Sequence, residues 1–561
     1  INPLYGQPSS SPFDLHPPLS GELTLSGSFG EIRTNSFHAG IDFRTGGRSG
    51  LRVFASNDGF VSRVRVSGVG FGKAIYIQHP NGLTTVYAHL DRFAPQIEAF
   101  VKEQQYKQKS FVIDLHLNAN EIKVKRGEYI ALSGNSGSSG GPHLHYEVRL
   151  TKNQIPLNPA FSNLKIVDTI SPLINSTWIY SIDTSSAING INTNSELNVQ
   201  RKGNHFVVED TVSVQGIIGV GLKAYDYINR NSLRCGVYEI KMFVNDKLHY
   251  HYSADEFNFN ETRYANSHID YAQRQETGKR IHRLFREPNN LFSGYKTLMN
   301  NGFISTKKDT IYNVKIEVND PFRNSAKLIM VMKGIDYKPK MMVPEYIEKQ
   351  NQEYWLFFED NQLNTDLFSI SLPRNTLYSN LNFEYKFSAP LPGMYSSIIH
   401  VHNKYTPVHR NYKLSIKADS LPIILQDKAL IATLNSKDKM EAVGGSFLDG
   451  YIVTNTNFFG DFFIVVDTIA PQVKPLNISN NKDMSKERSI RIMVGDDISG
   501  IASIEGFIDN EWALFEHDPK NNLVFYEFDE KRLQKDKKHS LLLKVIDNKG
   551  NLNEYSCTFF W

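Results

Sequence analysis

Short runs of β-branched and aromatic residues, separated by glycine-containing turns, recur along this chain of 561 residues. RVFASNDGFVSRVRVS, GKAIYIQHPNGLTTVYAHL and HLHYEVRL are examples. Val, Ile, Thr and the aromatic residues favour extended backbone, whereas glycine favours the turns between strands. The pattern predicts a mainly β protein. Its length exceeds what one hydrophobic core organises, so we expect about three or four domains.

Turn signals and changes in composition divide the chain into five segments. Residues 1–20 are rich in Pro and Ser, which is typical of an extended arm. Ile97, Phe100 and Val101 lie at helical spacing behind Pro95, which predicts a short amphipathic helix. The predicted segments are the arm at 1–20, a β-sheet domain at 21–165, a β-sandwich with a polar insertion at 166–336, a β-rich domain at 337–465 and a second β-sandwich at 466–561.

An internal repeat relates the two predicted sandwiches. VDTISP at 167–172 recurs as VDTIAP at 466–471, and VKIEVNDPFRN at 314–324 resembles LLKVIDNKGN at 542–551. In the second motif a strand run ends at Asp320 or Asp547, with an asparagine four residues later, which is typical of a hairpin. We therefore interpret both segments as immunoglobulin-like modules of one type. Their His, Cys and carboxylate residues show no ligand spacing along the sequence, so we expect no metal site in them.

Composition excludes several classes of function. The formal net charge is +3, and the first 160 residues are only mildly basic, so no basic stripe supports nucleic-acid binding. Cys235 and Cys557 are too few for a disulfide framework or a zinc site of their own. No apolar run reaches the roughly 18–20 residues that a transmembrane helix requires. The sequence begins at Ile1 without Met, which is typical of a processed or trimmed chain.

Two histidines open one of the predicted strands. In SSGGPHLHYEVR, His143 and His145 are two residues apart. Successive side chains of a strand point to opposite faces, so both imidazoles are expected on one face. A pair of imidazoles on one face of a strand suggests that residues elsewhere in the chain interact with them.

Two further motifs supply such partners. His38 and Asp42 are four residues apart in FHAGIDFRTG, around a predicted tight turn. TTVYAHL alternates, so that Thr85, Tyr87 and His89 are expected to share a face of their strand. Each motif alone is more often structural, but three of them in one small domain favour a functional site.

Zinc chemistry accounts for these residue types. Zinc takes imidazole nitrogen and carboxylate oxygen, and catalytic zinc sites use three protein ligands and a water. Two histidines and one aspartate would leave a centre with a net charge near +1, and the two remaining histidines would serve proton transfer and transition-state stabilisation. His79, in QHPNG before a predicted hairpin turn, is interpreted as structural.

These motifs resemble those of the lysostaphin/LytM-type zinc metallopeptidases, which hydrolyse peptide bonds in bacterial cell walls. HxxxD, YAHL and GPHLHYEV carry the resemblance, and GIDFRTG, NDGFVS, GFGKAIYIQHPNG and SGNSGSSGGPHLH match in the same order. The resemblance covers about residues 27–160. Tyr146 stands where Phe is common, and the segment between Leu90 and Val124 is longer than in the smallest members of the family.

The resemblance implies a role for each of the five residues. His38, Asp42 and His145 would bind one zinc per chain, and His89 and His143 would be catalytic. His143 is the candidate general base, and His89 would stabilise the tetrahedral oxyanion together with zinc; the two roles could also be exchanged. The resemblance further implies an exported protein that acts in the periplasm or cell envelope.

The predicted function is hydrolysis of peptide bonds in peptidoglycan. A D-alanyl cross-link is the favoured target, because multidomain members with β-appendages look more like the envelope-remodelling branch of the family. A glycyl-glycine endopeptidase is the alternative within the same chemistry. Two non-enzymatic alternatives are a LytM-type regulator of a partner amidase and an envelope scaffold whose β-modules dock a partner protein. The presence of all five site residues argues against the regulator.

Overall fold

A computed structural model describes residues 13–228, 233–336, 340–341, 351–435 and 437–561. Most of the ordered elements are strands, which confirms the prediction of a mainly β protein. Residues 1–12 of the predicted arm lie outside the described residues. In the rest of the arm, Leu15 and Leu19 are buried, and Pro18 O accepts a hydrogen bond from Phe54 N (2.9 Å), so this part packs along the first domain.

An 11-stranded sheet forms the framework of the N-terminal domain. Its strands and one separate hairpin are β1 Leu25–Gly27, β2 Ile32–Arg33, β3 Ser36–Phe37, β4 Ile41–Arg44, β5 Arg52–Phe54, β6 Gly59–Val66, β7 Lys73–Gln78, β8 Leu83–Phe93, β9 Ile113–His116, β10 Lys123–Val124, β11 Tyr129–Ser133, β12 His143–Leu150 and β13 Pro156–Leu157. The main path of the sheet runs β1-β4-β12-β8-β7-β6-β10, while β2 pairs only with β3. Strand β12 therefore lies between β4, which follows His38 and contains Asp42, and β8, which contains His89.

The predicted helix is present as α1, Pro95–Gln108. Proline at the first turn is compatible with a helix start, because the first amide groups have no intrahelical partner. Ile97 and Val101 are buried against the sheet, as their spacing predicts. The helix ends at Gln108, because Lys109 adopts a left-handed conformation (φ 48°) whose amide bonds back to the last turn.

Two sheets form the region that follows the N-terminal domain. The smaller consists of Leu173–Ser181, Ser195–Asn198, Ile217–Tyr225, His282–Arg283 and Ile304–Ser305. The larger consists of Ala187–Ile188, Ile191–Asn192, Gln200–Lys202, His205–Val207, Val212–Gln215, Glu239–Val244, Lys247–Ser253, Tyr295–Leu298, Ile311–Asn319, Ser325–Gly334 and Lys340–Met341. The polar insertion holds the short helices Phe259–Tyr264, Ala265–His268, Tyr271–Thr277 and Met299–Gly302. A further helical turn, Pro159–Phe161, precedes this region.

Each of the last two regions also contains two sheets. In the first of them the strands are Asn351–Trp355, Leu381–Ser388, Ile398–Val401, Ala429–Leu434, Met440–Gly444 and Gly460–Val466, opposite Asn361–Asn364, Phe368–Leu372, Tyr412–Lys417, Ser446–Leu448 and Tyr451–Thr456. In the second they are Gln472–Pro475, Ser489–Gly495, Glu516–Asp518 and Leu523–Glu527, opposite Lys482–Asp483, Ile501–Ile508, Glu511–Ala513, Lys538–Asp547 and Leu552–Phe560. The helical turns Ile423–Lys428 and Pro519–Asn521 complete these regions.

One continuous apolar core joins the N-terminal domain to the region after it. The cluster of buried side chains runs from Leu15 through both sheets of that region. At the junction, Phe37 stacks on Phe292 with ring centroids 4.2 Å apart, and Phe29 contacts Phe257 at 5.0 Å. Exposing these rings would cost the free energy of hydrophobic burial, so the two regions stabilise one another.

The last region, residues 467–561, packs back onto the N-terminal domain. Lys73 Nζ forms an ion pair with Glu516 (2.9 Å), and Arg532 lies over the ring of Tyr106 at 3.7 Å from its centroid. Lys520 Nζ donates hydrogen bonds to main-chain carbonyl groups of the loop that precedes β12. The contacts place the end of the chain beside the strands that carry the histidine motifs.

The predicted strand–Asp–turn–Asn hairpins are present in both repeats. Asp320 Oδ2 accepts from Asn324 Nδ2 (2.6 Å), and Asp547 Oδ2 accepts from Asn551 Nδ2 (2.7 Å). The sequence shows no ligand spacing in these modules, from which we expect no metal site, but in the fold carboxylates gather there in two groups with ligand atoms within 4.8 Å. The two groups are Asp168, Asp226 and Asp320, and Asp467, Asp496 and Asp547. Sequence spacing misses them because their members come from strands far apart along the chain.

Within the described residues, no helix combines the length and apolar character needed to cross a membrane.

Candidate active site

Strand pairing brings the motifs from three parts of the sequence together. In the register of β12 with β4, His145 lies opposite Asp42, and in the register of β12 with β8 it lies opposite Ala88. Residues paired across antiparallel strands share a face of the sheet, so Asp42 and His145 point the same way. His38 comes from the turn before β4. Gly40 in that turn is required, because a Cβ there would lie 2.4 Å from the carbonyl oxygen of Tyr146.

Three potential ligand atoms form a nearly equilateral triangle. His38 Nε2 is 3.1 Å from Asp42 Oδ1 and 3.0 Å from His145 Nδ1, and the last two atoms are 2.9 Å apart. All three side chains are buried at the base of the site. Ligands of a tetrahedral zinc lie roughly 3.3 Å from one another, given metal–ligand distances of about 2.0–2.2 Å. Two imidazole nitrogens and one carboxylate oxygen at this separation fit zinc in both chemistry and size.

Neighbouring groups hold each potential ligand in the required orientation. His38 Nδ1 donates to Ser28 O (2.8 Å), which leaves its Nε2 free for a metal. His145 Nε2 donates to Glu147 Oε1 (2.9 Å), which leaves its Nδ1 free in the same way. Arg33 donates to the second oxygen of Asp42 (2.8 Å). Each of the three side chains therefore makes a further hydrogen bond, which fixes the tautomer of the two imidazoles and the rotamer of the carboxylate.

Both carboxylates of the site are held ionised. Burial raises the pKa of Asp42, but the charge of His38 and hydrogen bonds from His143 and His145 outweigh it and keep the pKa well below its usual value. Burial likewise opposes ionisation of Glu147, and Arg149 with His145 lowers its pKa below the ordinary value. Asp42 is thus an anionic oxygen ligand at neutral pH, and Glu147 is an anionic acceptor behind His145.

The other two histidines lie side by side above the triangle. The rings of His89 and His143 are 4.8 Å apart between centroids. His89 Nδ1 donates to Ser136 O (2.9 Å), and His143 Nδ1 donates to Gly141 O (2.8 Å). Because Nδ1 is the donor in each ring, Nε2 is the nitrogen that can take up or release the second proton. His143 Nε2 is 3.5 Å from Asp42 Oδ1, so this histidine borders the triangle directly.

Burial keeps His89 neutral. Burial, together with the charges of His145 and His143, lowers the pKa of His89 to about 3. A neutral imidazole with its Nδ1 proton committed to a carbonyl group presents Nε2 as a base. Both rings donate from Nδ1 to a carbonyl group, so the two histidines differ in their distance to Asp42 and not in the nitrogen that donates.

His89 does not share a face with Tyr87 and Thr85, contrary to the expectation from alternation. Tyr87 lies opposite Tyr146, which points away from His145, and both rings are in the core. The pairing of β7 with β8 shifts register next to His89, whose φ of 59° is left-handed. A bulge of this kind re-aims a side chain, and here it turns His89 to the face of His145, with ring centroids 5.8 Å apart.

Sequence reasoning missed the supporting residues. Glu147 follows His145 by two positions, so strand alternation alone would have placed it on the same face. Arg33 and Ser28 reach the site through tertiary contacts that no sequence spacing reveals. His79 is structural, as interpreted: its ring nitrogens bond to Asp58 O and Thr85 Oγ1, both at 2.8 Å.

The departure at Tyr146 is accommodated. Its ring is buried in the core of the N-terminal domain, and its hydroxyl donates to Ser56 Oγ (2.9 Å). A buried phenol with a hydrogen-bond partner replaces phenylalanine without leaving an unsatisfied polar group.

Comparison with family models identifies two parts of the chain. Residues 36–110 match the model described as peptidase family M23, and residues 353–467 match a Zu5-like domain. The first match contains His38, Asp42 and His89, and the strand with His143 and His145 lies beyond its end.

Curated relatives match the same part of the chain. The DD-carboxypeptidase/endopeptidase Mpg of Neisseria meningitidis serogroup B (strain MC58) is 34% identical over 161 residues, which cover 28% of each protein. The peptidoglycan DD-endopeptidase ShyA of Vibrio cholerae serotype O1 is 32% identical over 133 residues, or 24% of each. The chain thus spans about a quarter of the length of the curated relatives it matches.

Solved structures also match this part. A zinc containing peptidase from Vibrio cholerae is 28% identical, with 25% of this chain and 37% of that chain covered and a TM-score of 0.19. A mutant catalytic domain of the prophage-encoded M23 protein EnpA from Enterococcus faecalis is 26% identical, with 26% and 95% covered and a TM-score of 0.19. From its family match and its curated relatives, the N-terminal domain of this chain is a peptidase family M23 domain.

Proposed function

We propose that this protein is a zinc-dependent endopeptidase that hydrolyses peptide cross-links in peptidoglycan. The observation that carries the proposal is the triangle of His38 Nε2, Asp42 Oδ1 and His145 Nδ1, with the rings of His89 and His143 beside it. Three buried ligand atoms of the right chemistry and two bases at the open side are the parts that hydrolysis of an amide requires.

His38, Asp42 and His145 would hold one zinc per chain. Zinc held there supplies Lewis-acid chemistry, which polarises a peptide carbonyl and lowers the pKa of water. Ser28 O and Glu147 keep the two histidine ligands in the tautomers that direct a lone pair inward. Arg33 keeps the second oxygen of Asp42 turned away from the triangle.

His143 and His89 would move protons and stabilise developing charge. His143 Nε2 lies nearer the triangle, which supports it as the general base that takes a proton from the attacking water. Its Nδ1 proton is held by Gly141 O, so the ring gains its second proton at Nε2. His89 would then stabilise the oxygen on which negative charge develops by donating from Nε2 once that nitrogen has taken up a proton, because its Nδ1 proton is held by Ser136 O.

A D-alanyl cross-link is the proposed target. ShyA is named a peptidoglycan DD-endopeptidase and Mpg a DD-carboxypeptidase/endopeptidase, whereas neither name points to a glycyl-glycine specificity. The N-terminal domain is only mildly basic, which suits a stem peptide with a few carboxylates better than a polyanion. Because this substrate lies outside the cytoplasm, we propose an exported protein that acts in the periplasm or cell envelope.

All five residues of the site are present, which argues against a non-catalytic regulator. A regulator has no need of oriented ligands, yet Glu147 and Ser28 orient both potential histidine ligands here. The β-modules would position the enzyme on the wall or dock an envelope protein. The region 467–561 contacts the loop before β12, so these modules also support the site itself.

The test is digestion of defined substrates by the zinc-loaded full-length chain. Full length is required because the N-terminal domain shares its core with the next region. Purified cross-linked muropeptide dimers and pentaglycine are incubated separately, and products are identified by mass spectrometry. We expect dimers to be cleaved to monomers and pentaglycine to stay intact. Cleavage of pentaglycine alone would reverse the choice of bond, and cleavage of neither substrate with zinc bound would favour a regulator.

A further inference from the structure

The two repeat modules build the same carboxylate network. In the first, Asn324 Nδ2 bridges Asp320 Oδ2 (2.6 Å) and the carbonyl oxygen of Asp168 (3.2 Å). In the second, Asn551 Nδ2 makes the corresponding bonds to Asp547 and Asp467, at 2.7 and 2.9 Å. The remaining aspartates, Asp226 and Asp496, each follow a core strand. The modules therefore offer an internal comparison between two triads of equivalent construction.

The third aspartate differs between the modules. Asp496 Oδ2 accepts backbone hydrogen bonds from Gly500 (2.7 Å) and Ile498 (3.2 Å), so its carboxylate is satisfied by a local turn. Asp226 is only 2% exposed, and its Oδ1 has no hydrogen-bond partner among the described residues. A buried carboxylate oxygen without a donor is costly, and the Asp226 carboxylate offers an oxygen within 4.8 Å of carboxylate oxygens of Asp168 and Asp320.

We propose that Asp168, Asp226 and Asp320 bind a hard divalent cation, calcium, through their carboxylate oxygens. Calcium takes oxygen ligands at 2.3–2.6 Å in flexible geometry and accepts several carboxylates in one site. Three carboxylates that converge from separate segments of the chain match that preference, and the group lacks the nitrogen ligands that zinc favours. The satisfied triad of the last module needs no cation.

The electrostatic environment of the first triad supports a bound cation. Burial, together with the charges of Asp320 and Asp168, raises the pKa of Asp226 to about 8. Burial also raises the pKa of Asp320 to about 6, and Asp168 adds to the shift. Carboxylates that repel one another in a buried site are stabilised by a cation among them, as in other oxygen-ligand sites.

The proposed cation would lie close to the seam with the M23 domain. Asp226 forms a backbone bridge with Cys235, through hydrogen bonds of 3.0 and 2.8 Å. The next residue, Gly236, exchanges backbone hydrogen bonds with Ser28 Oγ, and Ser28 O accepts from His38 Nδ1. Calcium at the triad would therefore stabilise the segment 235–236, which contacts Ser28, and Ser28 in turn orients the proposed zinc ligand His38.

The test is isothermal titration of zinc-saturated full-length protein with calcium chloride. Zinc saturation keeps the histidine site occupied, so that only an oxygen site takes calcium. We expect the wild-type protein and Asp496→Asn to bind one calcium per chain, and Asp226→Asn to bind at least about tenfold more weakly, because one carboxylate ligand is lost. Equal affinity in Asp226→Asn, or no wild-type binding up to about 10 mM calcium, well above the millimolar range of extracellular modules, would overturn the proposal.

Thermal unfolding separates ligation from a merely structural role. Calcium should raise the melting temperature of the wild-type protein and of Asp496→Asn, since a ligand that binds the folded state stabilises it. In Asp226→Asn the calcium-dependent rise should vanish, while the melting temperature without calcium should equal or exceed that of the wild type, because folding no longer requires the buried Asp226 carboxyl to take up a proton. A magnesium-dependent rise with no response to calcium would overturn the assignment to calcium. None of these measurements depends on peptidase activity.

Discussion

His145 and Glu147 lie on one face of strand β12 and are joined by a hydrogen bond of 2.9 Å from Nε2 to Oε1. Because that nitrogen carries the proton, the other ring nitrogen is the one that faces His38 and Asp42. A carboxylate behind a histidine ligand fixes the ring and raises its basicity. The pair therefore defines which nitrogen of His145 would be the ligand atom in the proposed zinc site.

Replacing Glu147 should weaken zinc binding without removing a ligand. We expect Glu147→Gln to lower zinc affinity by about 10- to 100-fold, as loss of such outer partners does in other zinc sites. Competition with a chromophoric chelator measures the affinity. Glu121→Gln, an exposed substitution of the same kind, is the matched control. An affinity in Glu147→Gln equal to that of the control would show that the carboxylate does not tune the ligand.

The two remaining histidines should be separable from the ligands. His89→Ala and His143→Ala should retain zinc, because neither contributes an atom to the triangle, but each should lose activity by about 10²–10⁴-fold. Zinc content and the rate of dimer cleavage are measured on the same preparations. If both variants turned over at nearly the wild-type rate, the proposed proton-transfer roles would be wrong.

The fold class, the helix α1 and the common face of His143 and His145 could be predicted from sequence, because each depends on local periodicity. The face of His89 could not, since the bulge that turns it depends on register with the neighbouring strands. The carboxylate triads were missed for a related reason. Their members become neighbours only when segments distant along the chain meet, as Asp168 and Asp226, 58 residues apart, do.

The C-terminal module should support the catalytic loop through Lys520. Its Nζ donates to the carbonyl oxygens of Asn135 and Ser139, and Ser139 Oγ is 3.2 Å from His143 Nδ1. Lys520→Ala should lower kcat, by less than the ~10²-fold expected when a general acid–base group is lost, and should retain zinc. Arg92→Ala is the control, because its ion pair with Glu527 is about half exposed and contributes little.

Steady-state kinetics on muropeptide dimers measure both variants. A drop in kcat for Lys520→Ala alone is the expected result, since of the two replaced side chains Lys520 is the one that contacts the loop before β12. Equal kcat in Lys520→Ala and the wild type would mean that the loop holds its position without the module. Equal drops in kcat in the two variants would instead show that activity depends on the packing of residues 467–561 against the N-terminal domain and not on the Lys520 contact itself.

A buried histidine pair should make the stability of the predicted module at 166–336 fall with acid pH. His268 Nε2 is 2.9 Å from His282 Nδ1, and burial lowers the pKa of His282 to about 4 and that of His268 well below its usual value. Since the folded-state pKa values lie below the unfolded value of 6.5, the unfolded chain binds protons first as pH falls. The contribution to stability is complete above pH 6.5 and is lost progressively toward pH 4.

Melting temperatures between pH 8 and about pH 4 test this dependence. His282→Gln should flatten the fall of melting temperature below pH 6.5, because one of the two proton-binding groups is removed. His116→Asn, at a ring that is largely exposed, should follow the wild-type curve. Parallel curves for His282→Gln and the wild type would contradict the assignment of acid sensitivity to this pair.

Elemental analysis of the purified protein and of His145→Ala tests the central claim most directly. The triangle of His38, Asp42 and His145 predicts about one zinc per chain in the wild-type protein. His145→Ala should lose the metal because two ligands remain, while His143→Ala should keep it. Full zinc occupancy in His145→Ala, or none in the wild-type protein after dialysis against zinc, would contradict the account.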